Sequence, residues 1–393
     1  MTFVEFIIQF KYILIFYALV AIVIYLNRSK FEFHAKFIGL YRTKIGVPLM
    51  NALGKRYEKI IRVLGYIGVP LGFIGMAVIL FFIAQGVFNL FFVPNAPPTV
   101  SPVLPGLPIP GTGITVPLIE GLLALFVVVV IHEFSHGLVA RSHNLPIKSS
   151  GFAFFGPLPG AFVEPDEKKL KKQRNLVQLS VFAAGPFSNI LTAALVLLIF
   201  LFIMDPIAAQ VITPEGVIFT KIVEGAPAAI AGIPQGTMIT EVNGNAVNST
   251  QTFFIAMQDI QPGQNITIAG PDAQYGVMTA QHPLNASRAY LGIEVKTQFR
   301  NEKAFSVQSF LWITTLLNWI FILSLGLGLA NLLPLGPVDG GRMFHIVMLQ
   351  WFVMLQWFGE QHGNRVWMNV SMVLLYVLLL LLLIPVFKAI LPF

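Results

Sequence analysis

The stretch that most limits what this chain can become is Leu118 to Val130, apolar except for Glu120, which runs into Ile131-His132-Glu133-Phe134-Ser135-His136. In lipid such a run is stable only as a helix, because each backbone amide and carbonyl must find its partner within the segment. On a helix, residues four apart share a face, so His132 and His136 can reach one metal ion while Glu133 is turned away by about 100°. Histidines at that spacing with a glutamate beside the first form a unit that holds zinc and activates water. Each ionisable side chain at mid-bilayer costs about 2.5–3.5 kcal/mol on insertion scales, so three together require a functional reason. With 7 histidines in 393 residues, the pattern arises in about four random shufflings per thousand.

Composition sets the class. Hydrophobic residues make up 56% of the chain and charged residues 11%, against roughly 25% charged in a soluble domain. The chain is therefore expected to be an integral membrane protein. It has no cysteine, which excludes disulfides and thiolate metal sites and leaves oxygen nucleophiles or water for chemistry. The net charge of +7 is concentrated in loops between apolar runs. That is the pattern of membrane topology, so the lipid bilayer and not nucleic acid is the expected partner.

In chain order, Phe3 to Leu26 is long enough to span about 30 Å of hydrocarbon, and no small-residue cleavage site follows it. The segment Asn27 to Val63 carries nine bases against Glu32 and Glu58, which places it on the cytoplasmic side. Leu64 to Phe92 is a second span, and Val93 to Pro117 is an uncharged, proline-rich outer loop. The third span, Pro117 to Ala140, puts the histidines toward the cytoplasmic half, roughly 22 Å of helix from its outer end. Lys148 to Glu164, rich in glycine, proline and phenylalanine, reads as a hairpin re-entering the membrane edge. The basic run from Lys168 to Arg174 anchors at headgroups. Asn175 to Met204 returns outward through Gly185-Pro186-x-x-Asn189, with Asn189 aimed at a neighbouring helix.

From Asp205 to Lys303 the chain turns polar, with strand-like runs at Val217–Val223, Met238–Val242, Asn265–Ile268 and Leu291–Val295 and turn signals at Asn243-Gly244 and Gln261-Pro262-Gly263. Its acids exceed its bases, which suits the side opposite the basic loops. Glu224-Gly225-Ala226-Pro227-Ala228-Ala229 followed by Ala231 to Gly244 resembles a PDZ domain, with Thr237 where such domains usually have aspartate. A fifth span, Phe305 to Leu333, ends in Asn331-Leu332-Leu333-Pro334-Leu335-Gly336-Pro337-Val338-Asp339-Gly340-Gly341. Its prolines and glycines unwind the helix, which lipid tolerates only where the freed backbone lines a cavity or binds something. Two further runs, Met343 to Phe358 and Val366 to Phe387, close the bundle, with His345 and His362 as packing residues near their starts.

Catalytic zinc wants a third protein ligand. Asp339 is the one aspartate expected at the depth and side of His132 and His136. Asp166 lies in the basic loop, and Asp205, Asp259 and Asp272 lie outside.

The architecture expected is a polytopic α-helical membrane protein of about seven spans, with an inserted extracytoplasmic PDZ-like α/β domain and a membrane-associated β-hairpin. Its divisions fall at residues 1–116, 117–204, 205–303, 304–341 and 342–393. The His-Glu-x-x-His helix, the Gly-Pro-x-x-Asn helix and the Asn331 to Gly341 segment are similar, in order and topology, to the three motifs of the site-2 protease family of intramembrane zinc metalloproteases. Gly336 stands where many members have proline. The resemblance implies Zn²⁺ held by His132, His136 and Asp339, with Glu133 as the catalytic base. It implies that Asn189 and Asn331 bind an unwound substrate segment and that the hairpin offers it a strand edge. It also implies transmembrane helical protein substrates, pre-cleaved by another protease, and a location in the cytoplasmic membrane. Two rivals stand beside it. A catalytically silent zinc scaffold presenting the PDZ-like module is one. A metal transporter is the other, and it is disfavoured because the spans hold few acids beyond Glu5, Glu120, Glu133 and Asp339.

Overall fold

The computed structural model describes residues 3–34, 38–93, 98–109, 114–155, 158–283, 285–300, 304–354 and 359–390. The chain divides into two compact units, one of residues 1–198 with 315–393 and one of residues 199–314. In order come α1 (Phe3–Leu26), β1 (Glu32–His34), β2 (Ile38–Thr43), α2 (Val47–Arg56), α3 (Glu58–Phe92), α4 (Leu118–Ser142), β3 (Ile147–Phe155), β4 (Leu158–Pro165), the single turn α5 (Glu167–Leu170) and α6 (Asn175–Ile199). A π-helical turn, Phe200–Met204, joins α6 to α7 (Asp205–Val211).

Five helical segments are long and apolar enough to cross a membrane: Glu58–Phe92, Leu118–Ser142, Asn175–Val211, Phe305–Asn331 and Gln361–Ile384. The expected count of about seven also includes α1, described as an apolar stretch over Phe10–Leu26, and the run from Met343 to Phe358, whose last four residues lie outside the described residues.

The helices of the first unit close tightly because α3 turns glycines toward its neighbours. A side chain at Gly68 would stand 3.2 Å from Phe187 Cβ, and one at Gly72 2.9 Å from Met343 Cε. Small residues at such spacing let membrane helices approach where no hydrophobic effect drives them together. Val69, Met76, Leu179, Ala183, Leu332 and Met343 are buried in one cluster against that contact.

The basic segment Asn27–Val63 is more than the loop that its charge suggests. It contributes β1, β2 and α2, and the sheet runs β1-β2-β3-β4, antiparallel throughout. The expected hairpin is β3 and β4, paired with Ser150 opposite Val163, and its tip at Gly156-Pro157 lies outside the described residues. Since β4 ends the sheet, its far edge has no strand partner among the described residues. Arg42 on β2 ties all four strands: Nε donates to Glu32 Oε2 at 2.7 Å, Nη1 donates to Ser149 Oγ at 2.9 Å, and the guanidinium pairs with Glu164. Burial alone would raise the Glu164 carboxyl, but the Ser149 hydroxyl and the Arg42 hydrogen bond and charge hold it below its usual range. A depressed carboxylate stabilises the fold above its unfolded pKa and loses that contribution as pH falls through the folded value. Arg42→Ala is expected to lower stability by about 1 kcal/mol, modest because the groups are part exposed. Glu164→Gln is expected to flatten the drop in melting temperature below about pH 4.5, measured by thermal denaturation across a pH series.

The second unit holds β5 (Pro214–Ile222), α8 (Pro227–Ile230), β6 (Met238–Ile239), β7 (Glu241–Val242), β8 (Asn245–Ala246), α9 (Thr250–Gln258), β9 (Asn265–Ala269), β10 (Gln274–Met278), β11 (Ala280–His282), β12 (Asn285–Tyr290) and β13 (Ile293–Phe299). Its sheets run β13-β5-β6, β10-β9-β7-β8 and β11-β12. Val217, Phe219, Ile239, Val242, Phe253, Ile266, Ile268 and Val277 form its core. The Asn243-Gly244 signal is a two-residue hairpin between β7 and β8, with φ of 50° and 80°, the pair of left-handed residues that such a turn demands. The four expected strands are present, with Met238–Val242 broken at Thr240 into β6 and β7. The expected end of this domain, Lys303, lies outside the described residues.

The chain returns through α10 (Phe305–Asn331), α11 (Asp339–Met354) and α12 (Gly359–Ile390). Residues 332–338 separate α10 from α11, as the prolines and glycines there predict.

Candidate metal centre

Helix α4 carries His132 and His136 on one face, 4% and 9% exposed. Asp339 meets them from the opposite side of the bundle. The sequence places it in an unwound segment, whereas it is the first residue of α11, so the break hands it directly to a helix start. The first turn of α11 lies against the carbonyls of the break: a side chain at Gly341 would come within 2.6 Å of Gly336 O, and one at Gly340 would meet Leu332 O. The two glycines after Asp339 are therefore required by close backbone approach. Helix α12 holds the break in place, with Ser371 Oγ accepting from Gly336 N at 3.0 Å and Trp367 Nε1 donating to Gly341 O at 3.0 Å.

Asp339 Oδ2 lies 3.1 Å from His132 Nε2 and 3.3 Å from His136 Nε2. One ligand atom from each of the three residues lies within 4.8 Å of the others. Ligands about 2.0–2.1 Å from a tetrahedral zinc stand roughly 3.3 Å apart, so two nitrogens and a carboxylate oxygen at these distances fit that ion. Helix α6 closes the site with backbone instead of side chain: a Cβ at Gly185 would lie 2.6 Å from His132 Nε2 and closer still to His136 Nε2. Gly185→Ala is expected to lower zinc content at least about tenfold although alanine favours a helix by about 0.8–1.0 kcal/mol; metal analysis of the purified protein reads this directly.

Around the donors, His136 Nδ1 donates to Val181 O at 2.7 Å. Glu133, on the same helix, is turned toward the sheet, where its Oε2 accepts from Val163 N at 2.9 Å. Asn189 is fully buried with its amide 3.2 Å from His132 Nδ1. Asn331 is half-buried, and its Nδ2 donates to Leu327 O in its own helix at 3.1 Å. The structure thus brings His132, Glu133, His136, Asn189 and Asp339 together, while the described contact of the Asn331 side chain is with its own helix. His345 pairs with Asn364 at 2.6 Å, a packing contact between α11 and α12. Sequence reasoning missed Val181 and Val163 as parts of the site, and it read Gly185 only as the glycine of the Gly-Pro-x-x-Asn motif that lets a neighbouring helix approach, not as the wall beside both rings. The first two act through backbone atoms, which carry no residue-type signal, and the third acts by lacking a side chain.

Residues 120–378 match the model of peptidase family M50. The chain belongs to this family. It is the site-2 protease family that the three motifs resemble. The chain is similar to a protein of Clostridium perfringens named as an inferred zinc metalloprotease, 24% identical over 298 residues, covering 58% of this chain and 86% of that one. An uncharacterised protein of Methanocaldococcus jannaschii is 28% identical over 340 residues, covering 86% of this chain and 84% of the relative. Among solved structures, the PDZ domain of an SdrC-like protein from Listeria monocytogenes aligns at 25% identity over 21% of this chain and 90% of its own, with a TM-score of 0.19. Family membership and the five long apolar helices make this an integral membrane protein.

Proposed function

We propose that this M50 protein is an intramembrane zinc metalloprotease that cleaves transmembrane segments of other membrane proteins. The observation that carries the reading is the convergence of His132, His136 and Asp339 at zinc-like separations inside apolar helices, with Glu133 one residue along. A zinc ion held there supplies Lewis-acid polarisation of the scissile carbonyl and acidifies water. Glu133 takes the proton of the attacking water and delivers it to the leaving amine nitrogen. Val163 N–H holds the Glu133 carboxylate in place between turnovers. Because Val163 directs its N–H at Glu133, it faces the open edge of β4, and Ala161, two residues back, faces the same way. An unwound substrate segment laid on that edge as a fifth strand passes beside Glu133 with its backbone groups satisfied. A helical substrate must unwind there, since its carbonyls are otherwise hydrogen-bonded and shielded.

The basic segments before α3 and before α6 support an orientation with the metal donors toward the cytoplasm, from which water reaches them, and with the PDZ-like segment non-cytoplasmic. In this reading the second unit is PDZ-like and limits which substrates reach the site, so that prior trimming by another protease precedes cleavage. In this reading α10 and α11 form one interrupted crossing, supported by the bond between Asn175 at the start of α6 and Gln350 of α11. The reading is tested by cleavage of a reconstituted transmembrane substrate by wild type and Glu133→Gln. Equal cleavage by the two would leave the zinc scaffold with its PDZ-like module as the better account.

A further inference from the structure

We propose that Asn189 is the hydrogen-bond acceptor that fixes the proton of His132 on Nδ1 and so holds that ring as a zinc ligand. The inference rests on the zinc reading of His132, His136 and Asp339.

The two histidines are held in different ways. His136 Nδ1 faces Val181 O at 2.7 Å. A carbonyl only accepts, so the proton of neutral His136 sits on Nδ1 and the Nε2 lone pair is free for a metal. His132 also aims Nε2 at Asp339, 3.1 Å away. To ligate through Nε2 it too must carry its proton on Nδ1, and that N–H needs an acceptor. The group facing it is the side-chain amide of Asn189, 3.2 Å from Nδ1. Its oxygen, turned to the ring, accepts that N–H.

Asn189 is 0% exposed, and its Oδ1 has no partner among the described residues, so presenting that oxygen to His132 gives up no hydrogen bond. Aspartate, of nearly the same size, offers the same acceptor, and leucine offers none. Partners of this kind behind a metal-bound histidine orient the ring and strengthen binding. Asn189 is then a positioning residue, distinct from the substrate-holding role that the family resemblance implies.

The test uses the full-length purified protein with zinc as the only added ligand, its affinity measured by competition with a chromophoric chelator. Asn189→Leu is expected to weaken zinc binding by about 10–100-fold, and Asn189→Asp is expected to keep wild-type affinity. Wild-type zinc affinity in Asn189→Leu, with a raised KM, would assign Asn189 to substrate and overturn the proposal. Equal loss in both variants would overturn it as well, because aspartate retains the acceptor. If Asn189→Leu does not fold, the affinity of Asn189→Asp against wild type decides alone: retained binding supports the proposal and lost binding refutes it. Chelator competition reads metal and not turnover, so the result stands even if no peptide is cleaved. A wild-type protein that bound no zinc would instead remove the zinc reading itself.

Discussion

Glu133→Gln is expected to reduce cleavage of a reconstituted transmembrane substrate by about 10³-fold or more while leaving zinc content at the wild-type level. A general base contributes roughly 10²–10⁴ in rate, and about 10³ corresponds to some 4 kcal/mol of transition-state stabilisation. Glutamine keeps the size of the side chain and an oxygen able to accept from Val163 N–H, the contact that holds Glu133 now at 2.9 Å. It cannot take a proton from water. The variant therefore separates chemistry from architecture: metal analysis and melting temperature should match wild type while the product band disappears. Loss of zinc in Glu133→Gln would instead make the glutamate a ligand, against the side-by-side placement of His132, His136 and Asp339.

Asp339→Ala should lose zinc altogether, well beyond the roughly 10–100-fold that follows removal of an outer partner. The carboxylate supplies one of three donors and the one negative charge among them, standing 3.1 Å and 3.3 Å from the two ring nitrogens. Two histidines alone leave the ion underligated in a setting where little else is polar, and an uncompensated dication in apolar surroundings is strongly disfavoured. Zinc content by atomic absorption on wild type and variant, purified in parallel, measures this. Undiminished binding in the variant would refute Asp339 as the third ligand.

Several parts of this arrangement were legible in the chain itself. His132 and His136 are four residues apart on one helix, so their shared face follows from helical geometry alone. The break after Asn331 follows from Pro334, Gly336 and Pro337, and the Asn243-Gly244 hairpin from the left-handed φ that asparagine and glycine accept. Asp339 could be singled out because few aspartates remain once the loops are assigned. The four-stranded sheet was not legible. The many bases of Asn27–Val63 report which side of a membrane the segment favours, and that signal hid the strand Ile38–Thr43, which pairs with residues more than a hundred positions later, and Glu32–His34, which pairs with that strand. Nor could the Arg42 link to Ser149 and Glu164 be read locally, since each partner is an ordinary surface residue until the sheet forms.

The sequence by itself determined the class of the protein, the metal-binding chemistry of the helix from Leu118 to Ser142 and the place where a later helix must break. These are consequences of periodicity, hydropathy and backbone stereochemistry, which act within a few residues. Only the tertiary structure decided what surrounds the metal donors: the carbonyl of Val181 behind His136, the amide of Asn189 behind His132, the backbone N–H of Val163 on Glu133, and the bare backbone of Gly185 beside both rings. All but the Asn189 contact are made by backbone atoms or by a residue's lack of a side chain. Their positions are set by how closely α4 and α6 and the edge of β4 pack, a property of the assembled bundle that no single stretch of residues contains.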